Sequence, residues 1–433
     1  MFYIIEKKEQ LDKLHVPKEA FIHIIPVNSF YHPLKQEISL IYFRPLQSSK
    51  GFIFCVNHSE SLSLKISDIT HYLSEVTVLY VNNKKAFNHV LSCVNFTVDV
   101  SLLNTIYNYK DIDFFQYETD IEILYQRRSP EFNRIIPISK HYEKMELYFK
   151  DIEYIISKYD ENDPKFKFYN EILTDNFTNI EKNGLKLNKN EYVNYFDLPH
   201  PEYSIDKGKI YTQYNLYTLT TRPSNSFNGV NFSALNKTTG IRKTIIPQND
   251  EFIEIDFHAY HPVILSKIVK YNFDYSKNIY EQLSRIMNID DINNVKQLVF
   301  QQLYGGIKKE YKHLPFFKEV NDYVESIWIK FYKEGVCFPT YGKPFNQYNV
   351  ESPTPYKLLS YIIQNAETIL NGLMISNILK LLENKKSKIV LYTYDSILID
   401  YHKNDEILSS ILDCLWFKVS SKKGLDYGIM EKI

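Results

Sequence analysis

Two short apolar runs, each broken by an aspartate, constrain this chain more than any other feature. Glu251 to Ile255 reads E-F-I-E-I and runs directly into Asp256. The stretch SKIVLYTYDSILIDYH, 387–402, gives two apolar strands meeting at Tyr394-Asp395-Ser396. Period-two alternation over five residues is the pattern of a half-buried strand, so Asp256 is expected at a strand end and Asp395 at a hairpin tip. Pro262 then suits the first turn of a helix continued by Val263 to Val269. Each aspartate also has an ordinary reading. Asp is a favoured helix N-cap, which fits position 256, and a favoured turn residue, which fits position 395.

The chain has 433 residues, more than one ordinary core holds, so two or three domains are expected. It has no apolar run long enough to span a bilayer, and MFYIIEKKEQLDKL lacks the basic start and apolar core of a secretory signal. No membrane association is therefore expected, and the location should be cytoplasmic (host cytoplasm if the source is viral). Four cysteines scattered without metal-ligand spacing fit a reducing compartment and argue against zinc. A net charge of −1 gives no global attraction to polyanions, so any nucleic-acid site must be a local basic surface.

Residues 20–100 read as a small α/β unit. AFIHIIPV, EISLIYFRPL and GFIFCVNH are strand candidates, ISDITHYLSEV a helix, TVLYVNN a strand and KKAFNHVLSCV a second helix. Residues 140–182 have a helical pattern, with Leu147, Phe149, Ile152, Ile155 and Ile156 as the apolar positions. The segment 183–245 is polar and locally basic.

Two further helices matter. In VKQLVFQQLYGG, 295–306, Lys296, Phe300 and Tyr304 recur every four residues and share one face, ended by Gly305-Gly306. That pattern also suits an amphipathic core helix with a glycine stop. In YKLLSYIIQNAETILNGLMISNILKLLEN, 356–384, Leu358, Leu359, Ile362, Ile363, Ala366, Ile369, Leu370, Leu373 and Met374 form the expected buried stripe. Ser360, Gln364, Glu367 and Asn371 line the opposite one, read from this helix alone as a solvated face, with Gln364 able to meet a ligand.

Taken in order, these stretches resemble the polymerase domain of family A DNA polymerases, in a divergent, phage-like form. Asp256 matches the first palm aspartate, and Lys296, Phe300, Tyr304 and Gly305 match the fingers-helix pattern. Tyr394-Asp395-Ser396 stands where the family has His-Asp-Glu, or where its single-subunit RNA polymerase relatives have His-Asp-Ser. TTRPSNSFNGVNFSALNK is similar to the Thr-Gly-Arg segment and the Asn-rich stretch after it. NIEKNGLKLN resembles the Glu-x-x-Gly segment, Gln364 falls in the Gln-Gly-Thr-Ala helix, and KKGLDYG resembles the C-terminal segment. The resemblance covers about residues 175–433.

It implies an α+β right-hand polymerase fold, with a palm built on an antiparallel sheet, helical fingers and a reduced thumb, occupying 141–433. The activity implied is template-directed addition of deoxynucleotides to a primer 3′ end. Such phosphoryl transfer needs in-line attack and two cations roughly 4 Å apart. Two Mg2+ ions are implied, replaceable by Mn2+, with Asp256, Asp395 and the Phe257 carbonyl as ligands. Lys296 would pair with the triphosphate and protonate the leaving pyrophosphate, making Asp256, Asp395 and Lys296 the catalytic set. Phe257, His258, His261, Phe300 and Tyr304 would form the nucleotide site. Arg222, Asn231, Arg242 and Gln364 would meet the primer-template DNA. The partners implied are primer-template DNA, deoxynucleoside triphosphates and a processivity or replisome protein.

The departures define what is open. Ile292 stands where the family has an arginine, so triphosphate charge must be met elsewhere, with His258, Arg242 and Lys308 as candidates. Ser396 replaces the third carboxylate, Thr221 replaces the glycine before Arg222, and His261 stands where DNA-synthesising members have a glutamate beneath the sugar. DFHAYHP also resembles a family B motif, and the Asp-Ser pair keeps a single-subunit RNA polymerase open, as is an inactive nucleic-acid-binding module. Residues 1–140 resemble a small α/β RNase H-like 3′–5′ exonuclease domain. IHIIPVNSF lacks the metal-binding Asp-x-Glu and Asn88 stands near the second motif's aspartate, so a degenerate domain without proofreading is expected. Gly184 and Arg222 lie only 38 positions apart, too close for a long helical thumb.

Overall fold

The computed structural model describes residues 2–29, 32–46, 48–91, 96–107, 120–195, 205–206, 208–225, 231–235, 239–416, 419–423 and 431–432. The chain divides into two compact units, one built on Met1–Lys182 and the other on Asn183–His200, Gly208–Asn225 and Asn231–Ile433. Residues 424–428 of KKGLDYG, residues 226–230 and 236–237 of the Asn-rich stretch after Arg222, and residues 196–204 and 207 between Gly184 and Arg222 lie outside the described residues. No helix among the described residues is long and apolar enough to cross a membrane.

The first unit carries a six-stranded mixed sheet. Its strands are β1 (Phe2–Ile5), β2 (Glu19–Pro26), β3 (Ile38–Pro45), β4 (Gly51–Cys55), β5 (Val78–Val81) and β6 (Phe96–Asp99). They lie in the order β1-β4-β3-β2-β5-β6. The meander β2-β3-β4 is antiparallel, while β1 joins β4, and β5 and β6 extend β2, in parallel. Helices α1 (Ile66–Ser74) and α2 (Lys84–Val90) connect β4 to β5 and β5 to β6, as expected of parallel crossovers. Ile22, Ile41, Phe43, Phe54, Ile69, Leu73 and Leu79 form one core between sheet and helices. Helix α3 (Ile138–Ile156) buries Met145, Phe149, Ile152 and Ile156 at helical spacing. Leu147, expected in that stripe, is instead 63% exposed, because two residues past Met145 is the far side of a 3.6-residue turn.

At the end of β5 and in α2, where the exonuclease resemblance places its second carboxylate motif, the chain has a buried ion cluster. Lys85 Nζ donates to Glu181 Oε1 at 2.6 Å, and His89 Nε2 lies 2.6 Å from Glu181 Oε2. Asp99 is also buried, and its carboxylate is occupied by the backbone N–H groups of Lys84 and Leu102, both at 2.9 Å.

The second unit is organised around a five-stranded antiparallel sheet, with α4 (Tyr260–Ile268), α5 (Ile279–Met287), α6 (Ile292–Gly305), α7 (Pro315–Glu334) and α8 (Pro355–Leu381) as its principal helices. Its strands are β7 (Glu251–Phe257), β8 (Lys388–Thr393), β9 (Ser396–Tyr401), β10 (Val419–Lys423) and β11 (Glu431–Lys432), in the order β8-β9-β7-β10-β11. The two aspartate-bearing runs are therefore adjacent: β7 pairs with β9 in a register that sets Asp256 opposite Ser396. Leu265, Leu283, Val295, Val299, Leu303, Phe316, Phe317, Leu359 and Ile363 fill a core shared by all five helices. At about 1.5–3 kcal/mol per fully buried large side chain, that core fixes the five helices against one another.

Helix α8 departs from the two-sided reading. Glu367 and Asn371 are fully buried, Ser360 and Gln364 are half-buried, and Ile369, Leu370 and Leu373 are less buried than Ala366 or Met374. A 27-residue helix packed on most sides has no single apolar stripe. Its polar row is enclosed because it meets polar backbone and charged partners.

Candidate active site

Asp256, next to last in β7, is half-exposed and on the same strand face as Glu254. It does not cap the helix that follows. The N-cap of α4 is Ala259, in a left-handed conformation at φ +47°, and Pro262 sits in the first turn, where its missing N–H costs nothing. Asp395 occupies the exposed tip of the β8–β9 hairpin. Its carbonyl accepts from Phe257 N–H at 3.0 Å, which fixes the tip against the end of β7. Desolvation of its carboxyl group, and next the nearby Asp256 carboxylate, push Asp395 above its ordinary pKa. Two like charges held side by side on rigid backbone suit a bridging cation. Ser396 Oγ donates to Glu254 Oε1 at 2.7 Å, so Glu254 is tied one row away. Among the described residues, no set of three or more His, Cys, Asp or Glu is placed to hold a metal ion. The acidic groups brought together here are two, Asp256 and Asp395, and magnesium is an ion that takes few protein carboxylates and keeps water or phosphate oxygens.

The hairpin tip is strained. Tyr394 has φ +62°, rare for a bulky side chain. It is held from α8, where Asn371 Nδ2 donates to the Tyr394 carbonyl and to the Tyr392 hydroxyl, both at 2.8 Å. Asn371 Oδ1 accepts from the Tyr260 hydroxyl at 2.5 Å. The Arg222 guanidinium lies over the Tyr394 ring, 3.8 Å from its centroid.

One turn earlier on α8, Glu367 is the residue the sequence reading missed. It is 0% exposed, yet carries two partners: Arg222 Nε and Nη2, each 3.2 Å from Oε1, and His261 Nε2, 2.9 Å from Oε2. His261 Nδ1 is in turn hydrogen-bonded to the Tyr304 hydroxyl. Burial raises the Tyr304 phenol well above its ordinary value, so it is protonated and can donate. Phe300 stacks on Tyr304 with centroids 5.9 Å apart and planes 9° from parallel, as the four-residue spacing on α6 requires. Lys296, one turn further on, is exposed, with Nζ 5.9 Å from the Tyr280 ring centroid. The only sequence signal for Glu367 was its place three residues after Gln364 and four before Asn371 on one helix face.

Gln364 is half-buried, accepting from Thr220 Oγ1 at 3.3 Å and donating to Ser360 Oγ at 3.0 Å. Thr221, in place of a glycine, keeps a glycine-like backbone at φ +54°. Contacts thus link Asp256, Asp395, Arg222, His261, Tyr304 and Phe300, with Gln364 beside them on α8. Other expected residues stand apart from that network. His258 and Asn231 are exposed, and Asn231 Oδ1 accepts from Ser233 Oγ at 2.6 Å. Arg242 is buried, and its Nε donates to the Leu235 carbonyl at 3.0 Å, which makes it less available to phosphate than its polar surroundings in sequence suggested. Phe257 is also buried, its ring stacked on Tyr260 with centroids 4.6 Å apart and its N–H donated to the Asp395 carbonyl.

No family model and no curated protein matches the sequence. Among solved structures, the fold is similar to the POL domain of Pol1 from M. smegmatis, solved in complex with DNA primer-template and dNTP. The TM-score is 0.70 at 11% identity, and the match covers 99% of this chain and 100% of that one. At that identity the likeness is one of fold, a mixed α/β architecture matched across nearly the whole chain.

Proposed function

We propose that this protein is a template-directed DNA polymerase that extends a primer 3′ end with deoxynucleotides. The observation that carries the reading is the pairing of β7 with β9, which brings Asp256 and Asp395 together, with His261 on the helix after β7 joined to Tyr304 of α6. The relation of the fold to the POL domain supports it. Asp256 and Asp395, with the Phe257 carbonyl, would hold Mg2+ or Mn2+. Such ions supply charge stabilisation of the attacking and leaving oxygens in phosphoryl transfer.

The chain's own residues do the rest. Lys296, exposed on α6, pairs with the triphosphate and is the proton source for pyrophosphate. Phe300 and Tyr304 present a rigid stacked surface to the incoming base. His261 lies under the sugar and leaves little room for a 2′-hydroxyl. Arg222 and Gln364 meet the minor groove of the primer-template, where every base pair offers acceptors, so they check pair shape without reading sequence. In this reading 141–433 is the polymerase domain, with the β7–β11 sheet as palm and α6 within the fingers. Residues 1–140 are a degenerate exonuclease-like domain. With a reduced thumb and few phosphate contacts the chain should synthesise distributively unless a partner protein tethers it, since phosphate contacts dominate affinity for DNA.

Primer extension on a primed DNA template with Mg2+ tests the proposal. Deoxynucleotide-dependent lengthening is expected. Comparable use of ribonucleotides would favour the RNA polymerase reading, and no extension with bound DNA would favour an inactive binding module.

A further inference from the structure

We propose that Glu367 is a positioning residue that couples the primer-end arginine, Arg222, to the sugar gate formed by His261 and Tyr304. The inference rests on the polymerase reading and adds to it a residue that neither its motifs nor its metal chemistry require. A carboxylate with no solvent exposure is costly unless it is paired and hydrogen-bonded. Here each oxygen has its own partner, Arg222 on Oε1 at 3.2 Å and His261 on Oε2 at 2.9 Å. A carboxylate only accepts, so Nε2 of His261 must carry the hydrogen. In the tautomer with its hydrogen on Nε2, Nδ1 accepts from the Tyr304 hydroxyl. Glu367 therefore sets the tautomer and tilt of His261, and through it the Tyr304 ring, which stacks on Phe300.

On the other side, Glu367 and the Tyr394 ring hold the Arg222 guanidinium as a plane, leaving its remaining N–H groups for a ligand. A primer end that displaces Arg222 must disturb Glu367, and the disturbance reaches His261 through a single shared carboxylate. Sugar choice and primer-end matching become linked properties of one site.

The test is Glu367→Gln. Glutamine keeps the size and can still accept from Arg222, but its amide nitrogen then faces His261 Nε2 and can only donate. The imidazole must switch tautomer, so its Nδ1–H donates to the Tyr304 oxygen, and the phenol hydrogen, no longer taken up by the ring, must turn to another direction. The ratio of kcat/KM for deoxynucleotide over ribonucleotide should fall at least tenfold, and the preference for matched over mispaired primer ends should fall with it. In a His261→Ala background, Glu367→Gln should cost no further sugar discrimination, because the ring it acts through is gone. Imidazole 15N shifts, assigned with His261→Gln, should show Nε2 protonated in the wild type and Nδ1 protonated in Glu367→Gln. If the variant does not fold, Tyr304→Phe removes only the hydroxyl at the far end of the chain and should lower the same sugar ratio. An active wild type whose Glu367→Gln and Tyr304→Phe forms keep both ratios within twofold overturns this inference alone. A wild type that binds primer-template but never extends it overturns the polymerase reading, and this inference with it.

Discussion

Thr221 offers a quantitative check on how the site is held. It is fully buried at φ +54°, a left-handed conformation that costs a residue with a Cβ about 1–2 kcal/mol. Its hydroxyl offsets that cost, accepting from Asn365 Nδ2 at 3.0 Å and donating to the Thr220 carbonyl at 2.6 Å. Asn365 cannot turn to find another partner, because its Oδ1 accepts from Lys343 N–H at 2.8 Å and its Nδ2 also donates to the Thr220 carbonyl at 2.9 Å. Thr221→Ala keeps the strain and leaves a buried amide hydrogen unsatisfied, a loss of about 1–3 kcal/mol. Thr221→Gly suffers the same loss but recovers the strain of about 1–2 kcal/mol, less about 0.4–1 kcal/mol for a more flexible unfolded chain. Glycine should therefore be the more stable of the two, by roughly 0.5–1 kcal/mol on those figures. The usual order in regular structure is the reverse. Both tryptophans, Trp328 and Trp416, lie in the second unit, so thermal unfolding followed by their fluorescence reports on the unit that carries Thr221. A separation of about 2–4 °C per kcal/mol is expected for a unit of this size. Alanine at or above glycine would refute the argument that the left-handed turn, rather than the side chain, is what this position must supply.

Asp256→Asn and Asp395→Asn should each reduce incorporation by several orders of magnitude in primer extension, with normal circular dichroism; near-normal extension by either would remove both from the metal site. Asp395 has a folded pKa raised above its unfolded value, so its ionisation lowers stability as pH rises through that range, fully so at neutral pH. Asp395→Asn should accordingly melt higher than wild type at pH 7, with the gain fading below about pH 4, where the carboxyl is protonated in both states. Burial opposes the Glu181 charge, but Lys85 and His89 more than offset it and hold its pKa at about 2. Its stabilisation should be present above the ordinary carboxylate range and disappear as pH falls towards about 2. Lys85→Met should destabilise the first unit by about 3–5 kcal/mol, while the double change with Glu181→Met should recover most of it. Mismatched primer-template incubated with Mg2+ and no nucleotides should stay intact; stepwise 3′ trimming that survives Asp395→Asn would show a working exonuclease.

Legibility in the sequence followed how local each determinant was. The strands of the first unit and the β7 and β8–β9 runs were readable because alternation and turn residues act over a few positions, and the observed ends fall close to those expected. The α6 row was readable because a four-residue repeat with a glycine stop fixes one helix face. Helix α8 was not, because burial of Glu367 and Asn371 depends on partners more than a hundred positions away, Arg222, His261 and Tyr260 among them. A polar residue at helical spacing looks solvated until something arrives to pair with it. Arg222 was read as a DNA contact, and the buried carboxylate that pairs with it was not foreseen. His261 was read as a replacement for a glutamate, yet a glutamate does approach the same place, from another helix, with the imidazole between it and the Tyr304 hydroxyl. Strain shows the same dependence on distant contacts. Thr221 and Tyr394 both adopt positive φ without being glycine, and both are held by side chains of α8, Asn365 and Asn371. The helix whose polar row read as solvated in sequence therefore carries the residues that fix Arg222, His261 and the backbone beside Asp395. Substitutions along its 364, 365, 367 and 371 row should alter substrate choice before they alter the two aspartates.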